Sequence, residues 1–400
     1  MTAPTPTTVP ADPGSPAEPG GTAAAPEGFE TTALGTVFTR TLAPYQAAVV
    51  RIGVALTFCA FLLREWPHRR VLYGDQTAWS LDLARQMVTG SHAFTVLAWS
   101  GSRAWFEFVY ALAIVVSALF LVGWRTRFTS VLFMLLVLSL QNRATLLGDG
   151  GDNVIHLLAI YLAFTRCGTV WSLDARRARR NQAPGLDPVG VALWLVSGVA
   201  LVLGQAIGKL DFGLYSWGLF LGLYWAATGA YCWLRFRRPR GDAAATGEAL
   251  ANLVHNATML VIAAQVCLIY ATAGWYKIQG SLWQNGTAVY YPLHLQYFAP
   301  WPALSDLLSA NSTLILLLTY GTVIVQVSFP FLVFNRRIKN VLLVLMIAEH
   351  LSIAVTLGLP FFSLAMISAD AVFLPTAFLR RVEKHAVARF SRRVVEYHSI

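Results

Sequence analysis

The chain has 400 residues, 56% of them hydrophobic and only 12% charged, about half the charge of an ordinary globular protein. A mean hydropathy of +0.55, with apolar stretches of about 20 residues that can each cross some 30 Å of hydrocarbon, excludes a soluble cytosolic enzyme and predicts a lipid bilayer as solvent. The net charge of +10, with 26 Arg and 4 Lys against 20 acids, would suggest a nucleic-acid partner in a soluble chain; here the distribution of cations among loops accounts for it, and no nucleic acid is expected.

Residues 1–37 are rich in Pro, Ala, Thr and Gly and hold too few large apolar groups to offset the entropy of ordering, so a disordered cytoplasmic tail is expected. No basic region followed by an early apolar core opens the chain, and no cleaved signal peptide is expected. Apolar segments then recur near 45–63, 104–123, 129–145, 153–169, 188–207, 213–232, 250–274, 313–334, 340–358 and 361–379. They predict an all-α, polytopic integral membrane bundle of about ten spans over residues 42–379, without a large soluble domain, followed by a basic cytoplasmic tail at 380–400. Alternating the loops between two sides places 21 cations on one and 8 on the other, with Arg51 inside the first span. The excess predicts a cell-membrane protein with both termini in the cytoplasm.

Two outer segments, 64–103 and 275–311, are too long to be turns. The second is dense in Trp and Tyr, which suits either an interfacial belt or a segment capping a cavity. Cys59, Cys167, Cys232 and Cys267 fall in or beside apolar stretches and read as small core residues, so neither a disulfide framework nor a metal site is predicted. Asn285-Gly286-Thr287 has the form of a glycosylation acceptor, but the Arg-over-Lys and Ala bias is that of a GC-rich bacterial genome, where the match is incidental. There is no P-loop, nucleotide fingerprint, hydrolase elbow or fixed-period repeat.

Ionisable groups at membrane depth are costly, and each is a candidate for function, pairing or packing. Arg51, two turns into the first span, can snorkel inward or pair with an acid. Glu107 is predicted to pair with Arg103 one turn away. In LLGDGGDN, Asp149 and Asp152 precede His156; Asp152 and His156 share a helix face, where a carboxylate can orient the imidazole for proton transfer, while an Asp at this point is equally suited to capping a helix. Glu349-His350 and Asp370 lie near the middle of the last two predicted spans and form, with Arg51, a candidate intramembrane polar network, either structural or proton-relaying. His255-Asn256 and Lys277 are 22 residues apart, about 33 Å along a straight helix, so they do not share one site. Lys277 is the sole Lys of the second outer segment; unlike Arg, a desolvated Lys can give up its proton and act as a base, although interfacial snorkelling explains the residue as well.

The stretch QVCLIYATAGWYKIQGSLWQNGTAVYYPLHLQYF, Gln265 to Phe298, resembles the signature of the HTTM (horizontally transferred transmembrane) family, the membrane domain similar to vitamin K-dependent gamma-carboxylases and to sporulation-delaying protein B. That signature runs Tyr-x-x-Ala-Gly-x-x-Lys, then a Trp and Gly-Thr-Ala-x-Tyr-Tyr, met here by Tyr270, Ala273, Gly274, Lys277, Trp283, Gly286, Thr287, Ala288, Tyr290 and Tyr291. Arg51, Tyr73-Gly74, the Ser172-Leu173-Asp174 unit, Glu349-His350 and Phe361-Phe362 extend the resemblance over most of residues 42–379.

In the gamma-carboxylases the signature Lys deprotonates reduced vitamin K, whose oxygenated form removes a proton from a substrate Glu before carbon dioxide adds. The resemblance therefore implies Lys277 as base, with His156 and Asp152 as the accompanying catalytic candidates, a vitamin K-like reduced quinone as co-substrate, and Tyr270, Trp283, Tyr290 and Tyr291 as candidate pocket walls. Two departures bear on the carry-over. The carboxylases carry a His where this chain has Gly151 or Asp152, with His156 a turn later, and they continue into a large extramembrane portion, where this chain has the basic stretch after Leu379. Three functions follow as expectations: quinone-dependent modification of a peptide or lipid, a non-catalytic module binding a peptide, lipid or partner protein, or a proton-coupled transporter, which needs Glu349, His350 and Asp370 on one polar path.

Overall fold

In the computed structural model, which describes residues 33–180, 187–239 and 241–397, every regular element is an α- or 3-10 helix. In chain order the α-helices are α1 (Ala33–Thr39), α2 (Pro44–Arg64), α3 (Arg69–Leu72), α4 (Leu81–Ser91), α5 (Arg103–Val122), α6 (Thr126–Arg143), α7 (Gly150–Ala163), α8 (Leu173–Arg180) and α9 (Pro188–Ala206). They continue with α10 (Trp217–Arg237), α11 (Asp242–Gln279), α12 (Ser281–Gln284), α13 (Tyr290–His294), α14 (Pro302–Ser309), α15 (Ser312–Leu332), α16 (Arg336–Thr356), α17 (Pro360–Asp370) and α18 (Thr376–Tyr397). Most of the tail expected at 1–37 lies outside the described residues, although α1 begins within it, and residues 398–400 of the basic tail lie outside as well.

The helices start where a polar cap meets an apolar run. Ser102 accepts the Trp105 amide at 3.1 Å to open α5, Asn311 accepts the Thr313 and Leu314 amides to open α15, and Asn335 does the same for α16. Proline stands in the first turn of α2, α9 and α17, where its missing N–H costs nothing. Among the described residues six helices, α2, α5, α9, α11, α15 and α16, are long and apolar enough to cross a membrane. The predicted segments over α6, α7 and α10 are helical but fall outside that set; α7, at 14 residues, is only about 21 Å long.

The last predicted span, 361–379, is not continuous. α17 passes through a 3-10 turn at Ala371–Phe373 into α18 with a bend of 108°, at Pro375. A break inside an apolar bundle leaves carbonyls without helical partners, and two side chains supply them. Gln46 of α2 donates to the Leu374 carbonyl at 2.7 Å and to Thr376 Oγ1 at 3.0 Å, and Lys339 of α16 donates to the Phe373 carbonyl.

α2 forms the centre, with Ala47, Val50, Val54, Phe58 and Leu62 buried against α5, α7 and α17. α11, α15 and α16 pack in sequence beside α17, and α9 pairs with α10 at the edge. There the Trp194 and Trp225 rings stack at 4.2 Å and each indole N–H donates to the other residue's carbonyl. Val196, Val199, Val202 and Leu203 of α9 point outward and exposed, an apolar face of the kind that lipid covers.

Candidate functional site

Where the first turns of α7 meet the last three turns of α11, a cavity of about 260 Å³ opens between α7, α11, α15, α16 and α17. Val154, Leu157, Ile269, Ala273, Phe362 and Met366 give it apolar walls, and Tyr270, Lys277, Gln326 and His350 bring polar groups to it. Exposed Gly150 and Asn153 mark its rim on α7. Tyr270, Ala273 and Lys277 reach one cavity because positions three and four apart lie on one helix face.

Gly274 explains how Lys277 finds its partner. A Cβ at this residue would stand 2.7 Å from Val327 Cγ2 and 3.4 Å from its Cα, so only glycine lets α11 approach α15 this closely. One turn on, Lys277 Nζ donates to Gln326 Oε1 at 2.8 Å, and Gln326 Nε2 donates to Glu349 Oε1 at 2.6 Å. Lys277 Nζ also lies 5.1 Å from the centre of the Trp283 ring, within cation–π range. Pro330, four residues after Gln326, removes the N–H that would bond the Gln326 carbonyl, loosening α15 at this turn.

A second polar cluster closes the floor. Tyr270, His350 and Asp370 are 1%, 2% and 0% exposed. The Tyr270 hydroxyl is 3.0 Å from both Asp370 carboxyl oxygens and 3.0 Å from His350 Nε2. A hydroxyl carries one proton, so it donates either to Asp370 or to the imidazole. With Asp370 as the acceptor, His350 Nε2–H donates to Tyr270 and Nδ1 is left with its lone pair. Nδ1 has no hydrogen-bond partner among the described residues, on a residue that lines the cavity.

The other sequence-selected residues are placed elsewhere. Asp149 caps α7 by accepting the Asp152 amide at 2.9 Å, while the Asp152 carboxylate accepts the Asp149 amide at 3.0 Å, a reciprocal capping box. His156 Nδ1 bonds Gln141 Oε1 at 3.0 Å, so Asp152 does not orient it, and neither residue lines the cavity. Trp283 stands beside Lys277, whereas Tyr290 and Tyr291 lie exposed in the 275–311 segment, Tyr290 stacked on His294 at 4.0 Å.

Arg51 is apart from Glu349, His350 and Asp370. It is fully buried rather than snorkelling, with Nη2 donating to the Trp171 carbonyl at 2.7 Å and Nε and Nη1 without hydrogen-bond partners among the described residues. Glu107 pairs with Arg69 at 2.8 Å instead of Arg103, because the 64–103 segment folds back over the start of α5. His255 and Asn256 clamp the segment before α2: His255 Nε2 donates to the Leu42 carbonyl and Nδ1 accepts the Arg166 amide, while Asn256 donates to the Val37 and Arg40 carbonyls.

Gln326 is the site residue that the search for titratable groups passes over. Its signal is a lone amide in the apolar run STLILLLTYGTVIVQVSFPFL, where an unpaired amide would be costly. Among the described residues no group of three or more His, Cys, Asp and Glu is arranged to hold a metal ion. Comparison with protein-family models, with curated proteins and with solved structures gives no match in any of the three.

Proposed function

We propose that this chain is a multi-pass membrane protein of the HTTM, gamma-carboxylase-like kind, in which the Lys277 cavity binds a reduced quinone and Lys277 serves as the base in quinone-dependent modification of a peptide or lipid. The observation that carries the reading is the position of Lys277 Nζ on an apolar-walled cavity together with His350, whose Nδ1 is unpartnered among the described residues. The enclosed volume, about 260 Å³, lies below the roughly 300–1,000 Å³ of pockets that surround a whole drug-sized ligand, and suits a ring system whose tail stays outside among lipid.

When bound, the quinol supplies the reducing equivalents for oxygen-dependent proton abstraction. Lys277 in its neutral form accepts a hydroxyl proton at Nζ, and Gln326 holds Nζ in place through its bond to Glu349. His350 Nδ1 accepts a hydrogen bond from a ligand hydroxyl and fixes its orientation. The apolar walls exclude water from the pair. The distribution of cations supports placing the protein in the cell membrane with both termini cytoplasmic.

A second reading, a non-catalytic module binding a peptide, lipid or partner protein, is favoured by one observation: Asp152 and His156 are committed to capping and to Gln141. Purified protein in lipid, given reduced vitamin K or menaquinone and oxygen, separates the two when epoxide is followed by mass spectrometry for the wild type and Lys277→Ala. Epoxide formed by the wild type and lost in the variant is the expected result. No turnover by either protein overturns the catalytic reading in favour of the module.

A further inference from the structure

A second cavity, also about 260 Å³, lies between the 73–81 segment, the 97–106 segment and the end of α6, away from Lys277. Its floor includes Arg143, only 5% exposed. Arg143 Nη2 makes long contacts of 3.4 Å to the Gly74 and Trp79 carbonyls, while Nη1 is buried and has no partner among the described residues. A buried guanidinium with an unused N–H bears the desolvation cost of a charged donor without return. Thr77 Oγ1, on the same wall, is likewise buried and unpartnered.

The rim adds donors of the same sign. Ser80 and Ser102 are the N-caps of α4 and α5, helices of 11 and 20 residues, so two helix N-termini meet at the cavity. Their hydroxyl oxygens accept the Leu83 and Trp105 amides, and Ser100 Oγ accepts the Ser102 amide, each at 3.1 Å. Those bonds use oxygen lone pairs and leave three hydroxyl hydrogens to donate. Arg103 adds a cation in the first turn of α5, where the helix dipole disfavours positive charge unless an anion is present. Asp75, the one carboxylate on the lining among the described residues, is occupied by a bidentate pair with Arg70 at 2.8 and 2.7 Å, and that hydrogen-bonded pair holds its carboxyl below the ordinary range.

We propose that this cavity is a phosphate-binding site, with Arg143 beneath the anion and the N-termini of α4 and α5 and the Ser80, Ser100 and Ser102 hydroxyls around it. Donors come from the floor and from two separate helix starts, more directions than a planar carboxylate presents and those that a tetrahedral oxyanion satisfies. The phosphate belongs either to a phospholipid headgroup or to free phosphate; exposed Leu83 and Met87 on α4 beside the site suit the former.

Calorimetric titration of the full chain in phosphate-free, non-ionic detergent tests the assignment. The probes are dihexanoyl phosphatidylglycerol, inorganic phosphate and, as a neutral control, dihexanoylglycerol. Saturable one-site binding of a phosphate-bearing probe is expected, weakened about tenfold or more in Arg143→Gln and measurably in Arg103→Gln. Binding of both phosphate probes in competition assigns the site to the phosphate group itself, and binding of the short-chain lipid alone assigns it to a headgroup. No saturable binding of either, equal binding of the neutral control, or wild-type affinity in both variants overturns the proposal. Should Arg143→Gln fail to fold, Arg103→Gln decides, since Arg103 is exposed and outside the core, and undiminished binding there counts against the site.

Discussion

Tyr270→Phe removes one oxygen and leaves the ring where it packs, edge-on to Phe329 at 5.6 Å. Two partners lose their bonds together, the Asp370 carboxyl and His350 Nε2, each 3.0 Å from the missing hydroxyl and both sealed from solvent. Bonds between helices in membranes average only about 0.6 kcal/mol, because the separated helices also find partners. Here the loss falls on the folded state, since Tyr270 is the only side-chain hydrogen-bond partner of the Asp370 carboxyl among the described residues, so the cost of leaving a buried polar group unsatisfied, about 1–3 kcal/mol, applies. The assay is reversible unfolding in mixed micelles of the wild type, Tyr270→Phe, Asp370→Asn and the double variant. The expected result is a loss of about 2 kcal/mol for Tyr270→Phe and a coupling energy of about 1 kcal/mol or more across the pair. A loss below about 0.5 kcal/mol, or additivity within that margin, would show that the triad does not act as a unit.

Gln326→Leu separates Lys277 from Glu349 while conserving bulk; if the proposed function holds, quinol turnover falls at least about tenfold with folding retained, and unchanged turnover would remove Gln326 from the site. Gly274→Leu drives side-chain atoms into Val327 and should cost about 1–3 kcal/mol in the same unfolding assay; a variant as stable as the wild type would refute the close approach of α11 and α15. Asp149→Ala breaks the capping box of α7 and should cost about 1 kcal/mol, read as a lower thermal midpoint, whereas Asn153→Ala, on the exposed rim, should leave it unmoved.

Hydropathy placed several elements within a few residues because a run of apolar side chains bounded by polar caps specifies a membrane-length helix with little help from its neighbours. The segments 45–63, 104–123 and 313–334 became Pro44–Arg64, Arg103–Val122 and Ser312–Leu332. The same measure shortened α11, whose first turns, from Asp242, combine the good helix formers Ala and Glu with Thr and Gly and carry no large apolar side chain. It also ran straight through Pro375, since composition averages over a single breaking residue. Pairings were less legible than elements. Arg103 was the nearest cation to Glu107 along the helix, yet Arg69, 38 residues away in sequence, takes the carboxylate, because a loop folded over a helix end brings partners that periodicity does not contain.

The two cavities sit at the same end of the bundle, and the chain between them explains why polar groups collect there. α6 ends at Arg143, which lies under one cavity, and α7 begins at Gly150, which rims the other. The connection is held by side chain to backbone bonds: Trp79 Nε1 donates to the Arg143 carbonyl at 3.1 Å, and Gln141 Nε2 donates to the Asp152 carbonyl at 2.9 Å. Since α7 is only about 21 Å long, it falls short of a full crossing, and its N-terminus carries the Asp149 cap and borders the Lys277 cavity. The start of this short helix, through Gly150, Asn153, Val154 and Leu157, supplies one wall of the Lys277 cavity, whereas the cavity over Arg143 is walled by the 73–81 and 97–106 segments. If the two proposed sites are as assigned, lengthening α7 by one turn before Gly150 should crowd the Lys277 cavity and weaken quinol binding while leaving phosphate binding in place, whereas Arg143→Gln should do the reverse; loss of both together in the lengthened variant would refute the separation of the two cavities.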